Sequence, residues 1–243
     1  MTAYDHKIQN LGFQGFVNTV FDRVATRYDL MNDLMSGGVH RIWKDAAINW
    51  LAPSKSSASL LIDVAGGTGD ITKRFLKAAG PGSRSIITDI NHSMMDAGRD
   101  KHPEFAGKVS FVQANAESLP YRDNTSDFYT ISFGIRNVDN KQNALNEAFR
   151  VLKPGGRFLC LEFSRVQVPL FDKVYEVYSD AVVPPLGRVV AGDAEPYRYL
   201  VDSIRAFPDQ KKFAGMIEKA GFSRVQYRNL SGGIAAIHSG LKL

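Results

Sequence analysis

The chain has 243 residues, 44% of them hydrophobic and 23% charged, with one cysteine and 30 Lys and Arg against 25 Asp and Glu, a net charge of +5. That length and apolar content suit one large α/β domain with a sizeable core and exclude wholesale disorder. The lone cysteine excludes an internal disulfide, no run approaches the roughly 18 apolar residues that span a bilayer, and the polar first fourteen residues lack a secretion signal, so the chain reads as cytoplasmic. The basic balance, with a sequence pI near 9.2, permits contact with an anionic membrane. No aromatic RNA-binding signature or zinc-finger spacing is present, so no nucleic-acid partner is expected.

Residues 1–12 read as a loose arm. Phe16, Val20, Phe21, Val24 and Tyr28 recur at helical spacing, and Gly37-Gly38 separates that helix from another starting near Arg41. Tyr28, Asn32, Ser36 and His40 alternate here with large apolar groups. The pattern suits an amphipathic helix pair packed on a sheet, or a helical lid over a ligand at 14–50. Strand-like runs at 60–65, 84–90, 109–113, 127–133 and 157–163 then alternate with helical patterns near 70–79, 93–101 and 140–152. Such alternation specifies a doubly wound, mostly parallel sheet with helices on both faces. Lys153-Pro154-Gly155-Gly156 reads as a turn, and Cys160 as a buried structural residue.

Beyond Ser164 the alternation stops. Phe171, Val174, Tyr175, Tyr178 and Val182 make one helical stripe closed by Pro184-Pro185, a second helix follows Pro196 and a third spans about 209–220. Residues 165–208 thus read as a helical cap inserted in a single domain, 1–243, or as helices packed on the sheet. Strands near 223–229 and 234–239, joined by Ser231-Gly232-Gly233, imply an antiparallel hairpin.

The stretch richest in chemistry is Asp63-Val64-Ala65-Gly66-Gly67-Thr68-Gly69-Asp70, where an apolar strand turns into a helix. Glycine allows the tight turn and lets a ligand approach bare backbone, while the helix N-terminus adds free N–H groups and a positive dipole end. Asp89 closes the next apolar run, twenty residues after Gly69, where a dinucleotide fold places its ribose-binding acid. An NAD-type G-x-G-x-x-G fails because Thr72 stands where the third glycine is needed, and no phosphate loop of the G-x-x-x-x-G-K-[ST] form occurs. What remains resembles motif I of the S-adenosylmethionine (SAM) methyltransferases, although a purely structural strand–helix turn also fits a glycine cluster.

Four further stretches narrow the resemblance. The block Tyr28 to Trp43 is similar to the first signature of the ubiquinone/menaquinone biosynthesis C-methyltransferase family, Y-D-x-M-N-x-x-[apolar]-S-x-x-x-H-x-x-W, and Arg150 to Ser164 is similar to its second. Phe133-Gly134-Ile135-Arg136-Asn137-Val138 resembles the family's F-G-[apolar]-R-N-V loop, and the ending from Gly232 to His238 also fits. The resemblance implies a class I, Rossmann-like sheet of seven strands with an antiparallel last strand. It also implies methylation of a ring carbon of a polyprenylated benzoquinol, naphthoquinol or both. As partners it implies the quinol, a peripheral membrane contact, and a homodimer or association with other quinone-biosynthesis enzymes. Another small phenolic or lipid acceptor, or a non-catalytic SAM-fold scaffold, are the alternatives.

Within that frame the cofactor-binding expectation falls on Gly66, Gly67, Thr68, Gly69, Asp89, Asn115, Ala116 and Ser132. Thr68 reads equally as a helix cap, and Ser132 as an ordinary strand-end serine. The catalytic expectation falls on Arg136, Asn137 and His40. Arg136 is too basic to act as a simple base. It could stabilise a phenolate or orient a water, or simply make a surface ion pair. His40 has a suitable unperturbed pKa of about 6.5 but also suits a structural role. No His, Cys or Asp cluster has metal-ligand spacing, so no metal is expected.

Overall fold

The computed structural model describes residues 38–166 and 195–243, together with Gly12, Gly15, Val17, Thr19, Asp33 and Ser36. Helix α1, His40–Leu51, leads into β1, Leu60–Val64, then α2, Asp70–Ala78; β2, Arg84–Asp89; α3, His92–Lys101; β3, Val109–Gln113; and β4, Ser126–Ser132. A short 3-10 turn, Ile135–Asn137, precedes α4, Lys141–Val151, and β5, Leu152–Phe163. The chain closes with α5, Glu195–Ala206; α6, Gln210–Lys219; β6, Ser223–Leu230; and β7, Ala235–Leu241. The first helical stripe, the stretch from Tyr28 to Asn32, most of the expected lid, and the cap from 167 to 194 lie outside the described residues.

The seven strands lie in the order β3-β2-β1-β4-β5-β7-β6, and β7 runs antiparallel to both its neighbours. The doubly wound sheet and closing hairpin expected from the sequence are therefore present. Period-2 alternation sends neighbouring side chains to opposite faces. Leu61, Leu159 and Leu161 join one core cluster with Trp43, Leu51 and Phe75, which brings α1 and α2 to that face. Ile62, Phe158 and Cys160 join the other with Leu145, Phe213 and Ile217, which brings α4 and α6 to the opposite face. Leu200 and Ile204 of α5 pack into the first cluster. Among the described residues no helix is long and apolar enough to cross a membrane.

One boundary differs from the sequence reading. Strand β5 begins at Leu152, not near 157, and runs through Lys153-Pro154-Gly155-Gly156. Leu152 pairs with Ser126 and Arg157 with Phe128, so the intervening residues bulge from the ladder. The Gly155 N–H donates to the Lys242 carbonyl at 2.6 Å and the Lys242 N–H to the Gly156 carbonyl at 3.0 Å, which keeps the bulge paired.

Strand ends set the site. Val64 pairs with Thr88 on one side and Ile131 on the other, and Asp89 pairs with Gln113. The loops after β1, β2, β3 and β4 therefore emerge along one rim, where open α/β sheets bind ligands. Beneath that rim Asp63 is buried on the central strand. Its carboxylate accepts from Thr130 Oγ1 at 2.7 Å and Thr72 Oγ1 at 2.9 Å, tying β1 to β4 and α2. Thr72 also shares a 3.0 Å hydrogen bond with Ser85 on β2. Burial pushes the Asp63 carboxyl up to about 6 despite these donors. Thr130→Val removes one donor to the charged form and should cost about 1–3 kcal/mol at pH 8. The loss should shrink as the pH falls below about 6, where Asp63 is protonated in the folded state. Urea unfolding at the two pH values measures it; a loss independent of pH would separate Thr130 from Asp63.

Candidate active site

The glycine stretch folds as a tight corner between β1 and α2. Ala65 leaves the strand at φ 50°, Gly67 has φ 52° and Gly69, the N-cap of α2, has φ 84°. A Cβ on Gly69 would lie 2.7 Å from Phe105 and 2.8 Å from Ile87, so this position has no room for a side chain. Thr68 precedes the cap and makes no cap bond, which removes the capping alternative. The corner is clamped by Asp89: its Oδ2 accepts from the Gly67 N–H and its Oδ1 from the Asn91 N–H, each at 2.9 Å. Burial pushes the Asp89 carboxyl up to about 6, against the pull of these amides. The Ile90 N–H also faces the carboxylate, and the acceptor capacity that these three amides leave open is available to a ligand's hydroxyls.

The corner forms one wall of a cavity of about 970 Å³, counting its open mouth. Gly66, Gly67, Thr68, Asp89, Asn115, Ala116 and Ser132 all line it; Gly69 does not, and acts through the turn. Asn115 Oδ1 accepts from the Glu117 N–H at 2.9 Å, which fixes the loop after β3. Ser132 Oγ is buried and makes no hydrogen bond among the described residues. Met94 supplies an apolar side and Lys44 and Asp70 a charged one. Burial would push the Asp70 carboxyl up, but the cations of Lys44 and Arg74 outweigh it and hold it near 2. An acid prepared for a ribose, an orphaned hydroxyl and an apolar flank fit SAM.

The loop after β4 turns sharply, with Phe133 at φ 56°. A Cβ on Gly134 would come within 2.3 Å of the Ala65 Cβ, so the loops after β1 and β4 meet at this glycine. Asn137 lines the cavity and its Oδ1 accepts from the Tyr199 hydroxyl at 3.0 Å. Arg136 and His40 are not brought to the cavity wall. A buried guanidinium requires a carboxylate partner, and Glu162 provides it: Arg136 Nη1 donates to Oε1 at 2.7 Å and the Arg136 N–H to Oε2 at 3.3 Å. Arg136 is 3% exposed, so the surface ion pair of the alternative reading is a buried one. His40 is equally buried, with Nε2 2.9 Å from Asp33 Oδ1. Burial, followed by Lys44, lowers its pKa.

Solved structures with this architecture include methyltransferases. A SAM-dependent methyltransferase of Thermotoga maritima superposes with a TM-score of 0.64 at 21% identity, covering 93% of this chain and 99% of that one. Phosphoethanolamine N-methyltransferase 2 of Haemonchus contortus, solved with SAM, gives 0.60 at 13% identity, over 82% of this chain and 52% of that one. These likenesses carry the fold. The model of the ubiE/COQ5 methyltransferase family matches residues 7–242. The chain belongs to this family. It is 58% identical over 232 residues to the ubiquinone/menaquinone biosynthesis C-methyltransferase UbiE of Brucella abortus strain S19, covering 95% of this chain and 86% of that one. The UbiE of Brucella suis biovar 1 is 57% identical over the same shares.

In this family member, sequence reasoning overlooked Glu162, Tyr199, Lys44 and Met94. Glu162 stood inside the quoted second signature, and an acid at the end of an apolar strand is itself a signal that a buried cation waits nearby. The Asp89 geometry also sets a pH dependence. Ribose hydroxyls donate to a carboxylate, and that form is lost as the pH falls through about 6. SAM affinity should therefore weaken between pH 7.5 and pH 5, and Asp89→Asn should bind about tenfold or more weakly at pH 7.5 with a flatter profile. Calorimetry across that range measures both; an Asp89→Asn variant with the wild-type profile would remove Asp89 from the site.

Proposed function

We propose that this chain is a SAM-dependent C-methyltransferase that methylates a ring carbon of a polyprenylated benzoquinol, naphthoquinol or both in ubiquinone and menaquinone biosynthesis. The observation that carries this reading is the Asp89-clamped cavity in a chain matched along nearly its whole length by the ubiE/COQ5 family. When bound, SAM supplies a methyl group on an electrophilic sulfonium. The chain's own task is to hold and align. Asp89 takes the ribose hydroxyls, Asn115 and Ala116 flank the adenine, and Thr68 with the glycine backbone receives the methionine part. Ser132 offers a hydroxyl that has no partner among the described residues.

Ring-carbon methylation needs electron density pushed from a neighbouring hydroxyl, so the protein gains most by aligning the ring and stabilising the phenolate. Of the three residues expected to do this, Asn137 reaches the cavity, and its amide orients the acceptor while Tyr199 holds it. Arg136 acts through its pair with Glu162, which pins the turn Ile135–Asn137; a charge already neutralised by Glu162 stabilises a phenolate less than a lone cation would. His40 supports α1. Purified protein with SAM and reduced quinols of each ring class should yield ring-methylated product by mass spectrometry. Asn137→Ala should lower turnover on the order of 100-fold with SAM affinity little changed. Arg136→Ala should instead lose stability, about 3–5 kcal/mol, by stranding Glu162. No transfer to either quinol by SAM-loaded protein would overturn the reading.

A polyprenylated acceptor resides in lipid, so we also propose a cytoplasmic protein that docks peripherally on the membrane, alone, as a homodimer or with other quinone-biosynthesis enzymes. The net charge of +5 favours anionic headgroups. In flotation assays the protein should rise with anionic vesicles and less with neutral ones; no recovery with either counts against docking.

A further inference from the structure

The cavity carries a side chain that the cofactor assignments above leave without a role. Lys44, on the buried face of α1, is 4% exposed and lines the cavity beside Asp70, the first residue of α2. Among the described residues it is the only cationic side chain on that wall, against the three carboxylates of Asp63, Asp70 and Asp89. Burying an ammonium is costly unless its donors are satisfied. Lys44 Nζ donates to Asp70 Oδ2 at 2.7 Å, which leaves two N–H groups without an acceptor among the described residues. Nor does Asp70 serve Lys44 alone. Its other oxygen accepts from Arg74, whose Nε is turned outward to the exposed Asp45 at 2.7 Å. The exposed Asp45 balances Arg74 from outside, so on the cavity side Lys44 shares Asp70 and keeps two donors unused among the described residues. The first turn of α2 adds free backbone N–H groups and a positive dipole end at the same place.

A buried ammonium on a cavity wall, beside a helix N-terminus and with two donors unused among the described residues, calls for an anionic acceptor. The ribose end of the cavity is taken by Asp89, which repels one. The anionic group of an α-amino acid is its carboxylate, and the amino-acid end of the cofactor is its one part that brings such a group. We infer that Lys44 anchors the α-carboxylate of the cofactor's methionine end, with Asp70 holding the ammonium in place at the wall. The inference rests on reading the cavity as a SAM site. It also gives α1 a part in binding: the helix that packs Trp43 into the core presents the next residue to the ligand.

The test varies the ligand and the residue together. S-adenosylhomocysteine and its decarboxylated analogue, which lacks only the carboxylate, are titrated calorimetrically into wild type, Lys44→Met and Lys44→Arg. Wild type should prefer the carboxylate-bearing ligand by about tenfold or more. Lys44→Met should bind both alike, with affinity for the decarboxylated ligand unchanged, and Lys44→Arg should retain part of the preference. Equal affinities in wild type, or a Lys44→Met variant that weakens both ligands equally, overturn the inference and leave Lys44 a structural role. If Lys44→Met does not fold, the wild-type comparison decides. Failure of wild type to bind S-adenosylhomocysteine or SAM would overturn the cofactor reading itself, a different result from equal binding.

Discussion

The structure depends on keeping one carboxylate dry. Asp63 lies on the interior strand β1, 1% exposed, and a carboxylate there survives only if hydroxyls surround it. Thr130 and Thr72 supply them, with Ser85 behind, so the demand of one acid fixes the relative positions of β1, β4, β2 and α2. Three of these elements, β1, β2 and β4, carry loops of the cavity, and β3 adds the fourth. Asp89 repeats the principle one strand over, where backbone amides, not hydroxyls, meet the acid. Both acids have pKa values raised to about 6, so each favours the fold most at pH values below the ordinary carboxylate range and loses that contribution as the pH rises through 6. A ligand that donates hydrogen bonds to Asp89 offsets part of that loss.

The two halves of the site are built differently. On the cofactor side, backbone dominates: positive φ at Ala65, Gly67 and Phe133, and a glycine contact at Gly134 too close for any other residue. Such geometry is stiff and is set by loops packed against each other. On the other side, Arg136, Glu162, Asn137 and Tyr199 form a side-chain assembly that joins the loop after β4 to β5 and α5. A buried ion pair of this kind contributes little net stability, but removing one partner strands the other.

What could be read from the sequence follows the same division. That the glycine corner, Asp89, Asn115, Ala116 and Ser132 meet at one cavity was legible because each sits at the end of a strand whose periodicity announces it, and strand ends in such sheets share one rim. That Arg136 and His40 stand off the cavity wall was hidden for an opposite reason. Their surroundings come from residues distant in the chain or from the far side of a turn: Glu162 is 26 residues from Arg136. Periodicity reports which face a residue takes, not which partner completes it. The early start of β5 was hidden because Pro154 and two glycines look like a turn, whereas a bulge accommodates them within the strand. Lys44 was passed over because a single lysine on an amphipathic helix reads as solvated.

The order of the strands along the chain also has a temporal meaning. Apart from Val17 and Lys44, the cavity is lined by residues from Asp63 to Val138, one contiguous stretch, whereas Glu162 and Tyr199 come later. At the pace of synthesis, about 5–20 residues per second, the donor half of the site leaves the ribosome some seconds before the groups that brace its acceptor side. The lining of the cavity is thus made before β5 and β7, whose side chains complete the core beneath it, so the corner reaches its final packing only once the C-terminal half has arrived.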